Sequence, residues 1–113
     1  MERALWAEQR PENWWAAAQN AIRSVLAQAN AMGEDIRGVG LSGQMHSAVF
    51  LDDADEPIRP AIMWNDGRSA REASELAQLG LALQRETGVL PMPGFTGPKY
   101  LWLRRNEPQA ALF

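Results

Sequence analysis

Cysteine is absent from this sequence of 113 residues, and histidine and tyrosine each occur once. Without thiols there is no disulfide framework and no thiolate metal centre, and a single imidazole makes a poor start for a zinc site. A basic excess is missing too. Eleven Lys and Arg stand against fourteen Asp and Glu, a net charge of −3, which gives a phosphate backbone no general electrostatic reason to bind. Nucleic acid is therefore not an expected partner. No long apolar run occurs, and the opening MERALWAEQRPENWW is charged throughout, unlike a secretory leader or a membrane span. The expectation is a cytoplasmic protein that does not use a membrane.

What is present is the composition of a globular domain. The hydrophobic share of 46% and charged share of 22% lie near average values, and a chain of this length buries roughly two-thirds of its unfolded surface, enough for one core. Pro11 suits the first turn of a helix; Trp15, Ala18, Ile22, Val25, Leu26 and Ala29 then recur at steps of three and four until Met32 and Gly33, predicting an amphipathic helix. Residues 36–42 and 48–51 read as adjacent strands joined by the turn-like GQMHS, DDADEP as a turn, and residues 58–63 as a third strand interrupted by proline. Asn65 and Asp66 are placed to cap a helix starting near Arg68, with Ala73, Leu76, Ala77 and Leu79 on its apolar side and Gly80 at its end. A short helix follows over 81–87, VLPMPGFTGPK is irregular, Pro98 opens a last helix running to Arg105, and another starts at Pro108. The fold class is α/β, a small sheet with packed helices.

The stretch GVGLSGQMH, residues 38–46, contains G-x-G-x-x-G. A dinucleotide fingerprint needs a helix immediately after the glycines, because its N-terminus holds the pyrophosphate. Here QMHSAVFLDD follows and reads as a strand. The other common phosphate cradle, G-x-x-x-x-G-K-[ST], does not occur. Gly43 is expected instead to permit a close backbone approach at a turn that presents Gln44, Met45 and His46 at one end of two strands. Asp52, Asp53 and Asp55 lack the spacing of a calcium loop and read as a solvated turn.

GQMHS, PAIMWNDGRSARE and TGVLPMPGFTGPKYLWL, in this order and spacing, resemble signature segments of the FGGY carbohydrate kinase family, in its xylulokinase branch. LWAEQRPENWW is similar to the family's opening stretch, so the resemblance covers nearly the whole chain. It implies that residues 1–113 are a partial N-terminal domain of the ribonuclease H-like, actin-like ATPase type. It implies further that the parent enzyme binds sugar and ATP between two domains and moves the γ-phosphoryl group to D-xylulose with Mg²⁺.

By the same resemblance Met45 and His46 contact the sugar, His46 through one hydroxyl hydrogen bond and Met45 through backbone and van der Waals contact. Trp64, Asn65 and Asp66 join them as substrate-binding residues. Each has a plainer reading: His46 tying its turn to a carbonyl, Trp64 as core, Asn65 as a helix cap, Asp66 as a cap or as the partner of Arg68. Lys99 is read as supporting its loop or lying over Trp102 rather than facing the cleft. The family's Asp-x-Gly-Thr hairpin, its sugar-activating aspartate and its second domain have no counterpart in this sequence. The expectation is a chain with no catalytic, metal or nucleotide-binding residue of its own, inactive when alone. Trp14 and Trp15 cannot share the centre of one helix face; in an intact kinase a strand outside this sequence or a neighbouring subunit is expected to cover such apolar area, which left exposed favours association, a homodimer included, or aggregation. Two alternatives stay open: another sugar or polyol kinase of the family, and a non-catalytic module that serves only folding or interaction.

Overall fold

The computed structural model describes residues 4–110. Its elements are β1 (Glu8–Gln9), α1 (Pro11–Ala29), β2 (Ala61–Ile62), α2 (Ala70–Ala77), α3 (Gly80–Thr87) and α4 (Thr96–Asn106), with single 3-10 turns at Gly33–Asp35 and Pro108–Ala110. The helices account for most of the regular structure. The sheet is one antiparallel pair, Glu8 opposite Ile62 and Gln9 opposite Ala61, extended on its other side by a bridge between Ala48 and Ile62.

Helix α1 forms where the periodicity placed it, with Pro11 in its first turn and Asn30 in the left-handed region (φ 48°) closing its end. Its apolar stripe is not covered. The helix buries no residue, and Trp15, Ile22 and Val25 are all more than half exposed. The radius of gyration, 18.1 Å, exceeds the ~13 Å of a compact domain of 100 residues, as an uncovered helix of this length requires. No helix among the described residues is long and apolar enough to cross a membrane.

The core lies elsewhere. Ile62, Trp102 and Leu103 form its centre, with Trp6, Phe50, Ile58 and Ala110 packed around them. Trp6 meets Trp102 edge to face at 5.3 Å, a favoured arrangement for two ring quadrupoles. Residues 36–42, expected as a strand, are exposed and pair with no strand among the described residues, so residues 48–51 are not their neighbour. The DDADEP segment is a turn: the Asp52 carboxylate accepts from the N–H groups of Ala54 and Glu56, each at 2.9 Å. Helix α4 begins at Thr96, two residues before Pro98, and Phe95 is its cap position. Gly80 does not end α2, which closes at Ala77; with φ 57° it opens α3.

Candidate functional site

The segments that carry the motifs converge on one end of the core. Residues 45–47 form a tight reversal: Ser47 N–H donates to the Met45 carbonyl at 2.8 Å, and His46 between them has φ 61°. From here the chain is tied to the WND segment. Trp64 N–H donates to Ser47 Oγ at 3.0 Å, and Ala48 and Ile62 exchange both main-chain hydrogen bonds. The MPGFT segment closes the third side. The His46 imidazole stacks on the Phe95 ring, centroids 4.0 Å apart and planes 25° apart.

Gly94 explains how the segments approach so closely. A Cβ at this position would stand 2.4 Å from the Trp64 carbonyl oxygen, a main-chain atom with no freedom to retreat. The close approach expected at Gly43 is not there, since nothing lies within 4 Å of a Cβ at Gly43. The left-handed conformation in this turn falls on His46 instead. Lys99 fastens the arrangement from beneath. Fully buried, it donates from Nζ to the His46 carbonyl at 2.5 Å and to the Gly94 carbonyl at 2.6 Å. Burial pushes its pKa down, the charge of Asp66 opposes that shift, and the charge of Arg68 adds to it.

The expected site residues do not share one environment. Met45 is exposed and is not part of the apolar cleft of about 450 Å³ that the half-buried His46 lines with Leu83, Val89, Phe95 and Leu101. Trp64 and Asn65 are exposed and line a broader depression of about 1370 Å³ with Gln44, Trp6 and Glu8. Trp64 is thus not core, and helix α2 has Ser69, not Asn65 or Asp66, at its cap position.

Asp66 departs from the sugar-contact expectation. Its side chain is fully buried, and both oxygens are engaged internally. Oδ1 accepts from Arg68 N–H at 2.9 Å and Arg68 Nε at 2.8 Å; Oδ2 accepts from Arg68 Nη2 at 2.7 Å and Ala7 N–H at 2.6 Å. Burial raises the carboxyl pKa, but hydrogen bonds from Arg68, Ala7 and the Arg68 main chain, with the guanidinium charge, outweigh it and hold the group below its ordinary value. Arg68 also reaches Glu8 at 2.6 Å and lies 3.7 Å from the Trp6 ring centroid. Arg59 pairs with Glu107 at 2.7 Å and with Glu8 as well. Asp66 therefore locks residues 5–9 to the WNDGR segment, the Arg68 partnership that its plainer reading allowed.

Sequence reasoning missed Gly94, Phe95 and Ser47, and it did not foresee that Lys99 is buried. One signal was available for Lys99. A cation in the first turns of a helix opposes the helix dipole, so a lysine three residues after Thr96 calls for a reason other than helix stability.

Comparison with known proteins identifies the family. The chain is 46% identical over 109 residues to a xylulose kinase of Klebsiella pneumoniae, a match covering 96% of this chain and 22% of that protein. It is 45% identical over 105 residues to a xylulose kinase of Escherichia coli, covering 93% and 21%. A solved xylulose kinase structure from Brucella ovis superposes with a TM-score of 0.91 at 43% identity, over 98% of this chain and 23% of that one. The chain thus spans about a fifth of the length of the relatives it matches. Their fold is that of the actin-like sugar kinases, and this chain is a mixed helix and small-sheet part of it. Residues 1–112 match the family's N-terminal domain, and the chain belongs to the FGGY family of carbohydrate kinases.

Proposed function

We propose that this chain supplies the sugar-facing part of an ATP-dependent kinase that converts D-xylulose to D-xylulose 5-phosphate. The observation that carries the reading is the junction of the 45–47 turn, the WND segment and the MPGFT loop, which offers His46, Trp64 and Asn65 from adjoining surfaces. A polyol is recognised by a few polar groups aimed at hydroxyls and an apolar surface against its C–H face. His46 supplies a hydrogen-bonding imidazole, Trp64 a partly exposed indole and Asn65 an amide; Met45 adds apolar contact. Asp66, with its oxygens engaged, serves as a support. The names of the relatives favour xylulose over other sugars of the family.

The family implies ATP as donor, and Mg²⁺ is its expected companion in such a transfer. Among the described residues no group of three or more His, Asp or Glu is placed to hold a metal ion. The glycines at 38–43 lead into the tight turn at 45–47 rather than a helix N-terminus. No phosphoryl-transfer step is assigned to the described residues. Their part is to bind and orient the sugar and to shield one side of it from water. The proposal extends to a cytoplasmic location, where ATP is the donor. It also includes a homodimer, for which the exposed apolar residues of α1 are the support.

The test is a graft. Residues 1–112 replace the matching segment of the Klebsiella pneumoniae kinase, and turnover of D-xylulose with ATP and Mg²⁺ is measured. The expected graft is active on D-xylulose, and His46→Ala in it raises KM for the sugar by about tenfold, the scale of one good hydrogen bond, while KM for ATP stays put. A folded graft that ignores D-xylulose, or a His46→Ala variant with unchanged sugar KM, refutes the reading.

A further inference from the structure

The turn that carries His46 has a conformation its own residues do not favour. A three-residue reversal closed by a hydrogen bond from Ser47 N–H to the Met45 carbonyl, with φ 61° at the central residue, is strained for a side chain other than glycine. Such strain persists only where the surroundings over-determine it. Two contacts act on the flanks: Phe95 against the imidazole and Trp64 N–H on Ser47 Oγ. One acts on the strained residue's own main chain, the Lys99 ammonium on the His46 carbonyl. The second hydrogen bond of the same ammonium, to Gly94, holds the loop that carries Phe95 and lies against Trp64. A single buried cation thus ties the 45–47 turn to the MPGFT loop, and Gly94 of that loop packs on the WND segment. An ammonium removed from water is costly unless hydrogen-bonded, and those given to this one are main-chain carbonyls of the candidate site.

We infer that Lys99 is a positioning residue: its ammonium sets the conformation of the 45–47 turn, and with it the direction in which His46 is offered, without touching the sugar. The functional half of this inference rests on the sugar-facing role proposed for His46; the conformational half does not.

The cysteine-free sequence permits a chemical test on the 113-residue chain. Lys99→Cys, alkylated with 2-bromoethylamine while unfolded and then refolded, carries an amine at close to the length of lysine. The readouts are the nuclear Overhauser contact between the His46 and Phe95 rings and the amide to Hα coupling of His46. Lys99→Met and unalkylated Lys99→Cys are expected to lose the contact and shift the coupling, and aminoethylation to restore both. Persistence of both signals in a folded Lys99→Met chain overturns the inference.

Should Lys99→Met not fold, the unaltered chain decides. Slowly exchanging ζ-ammonium protons with Overhauser contacts to His46 and Gly94 uphold the inference; exchange as fast as that of a free lysine overturns it. In the graft, Lys99→Met should raise KM for D-xylulose by about tenfold, the effect expected of losing the His46 hydrogen bond, with KM for ATP within about twofold. An equal rise in both overturns the functional half. An unaltered graft that is inactive on D-xylulose removes the sugar reading and leaves the spectroscopic result standing. Unperturbed ring contacts remove Lys99 and leave the sugar reading standing.

Discussion

Gly94 packs against the carbonyl of Trp64 so closely that a Cβ would come within 2.4 Å of the oxygen. Both sides of this contact are main chain, so neither yields by changing a rotamer. Gly94→Ala is expected to destabilise the chain by about 1–3 kcal/mol, the usual cost of overpacking. Gly97→Ala should be neutral or stabilising by up to about 1 kcal/mol, because its Cβ would meet nothing within 4 Å and it sits in α4. Urea midpoints of the two variants check the contrast, and equal midpoints would contradict the tight approach.

The buried pair of Asp66 and Arg68 ties acid stability to one carboxylate. The folded pKa of Asp66 is held below the ordinary 3.8. Between the folded and unfolded values the unfolded chain binds more protons, so stability rises with pH there. The contribution of Asp66 is therefore fully present above the ordinary value and lost as pH falls through the depressed one. Asp66→Asn removes one of the two carboxylates paired with a guanidinium that is 0% exposed and leaves Glu8 at 2.6 Å, so it is expected to cost roughly 1.5–3 kcal/mol, the scale of hydrogen bonds to charged groups. Denaturant titrations across the acid range should show a shallower acid loss in the variant than in the parent; parallel curves would mean that Asp66 titrates normally.

The same pair shows what the sequence could and could not reveal. Asp and Arg two residues apart can pair along a local turn, so the partnership of Asp66 with Arg68 was readable from spacing. The hydrogen bond from Ala7 to Asp66, across 59 positions, was not. Helices α1, α3 and α4 were legible because their hydrogen bonds are local and Pro11 and Pro98 lie in the first turns of α1 and α4; the stop read at Met32 and Gly33 falls earlier, at Asn30. Residues 36–42 were misread because a strand's hydrogen bonds belong to a partner strand, and alternation of side chains cannot say whether one is present. His46 and Trp64 were singled out through the resemblance. The contact that joins their segments at Gly94 depends on tertiary approach, which local composition does not encode.

Lys99 leads to a prediction at the alkaline end. Burial lowers its folded pKa from 10.5, so the folded chain releases this proton before the unfolded chain does. Between the two values the unfolded state again holds more protons, and stability rises with pH toward 10.5. Subtracting the pH profile of Lys99→Met from that of the parent should leave a positive alkaline slope. A flat difference would place the ammonium in water, contrary to its burial.

The last prediction separates apolar pattern from apolar burial. Ile22 lies on the clearest periodic stripe in the sequence, yet it is 58% exposed, whereas Leu103, in a helix with a weaker stripe, is 0% exposed at the centre of the core. Leu103→Ala removes buried methyl groups and leaves a cavity, for an expected loss of about 2–5 kcal/mol. Ile22→Ala removes surface that water already reaches and replaces a β-branched residue by a better helix former, so its effect should stay within about 0.5 kcal/mol. Thermal denaturation of the two variants in dilute solution tests this. A large loss at Ile22 that grows with protein concentration would show a second copy covering the stripe, because a contact between copies raises stability by mass action while an internal one does not.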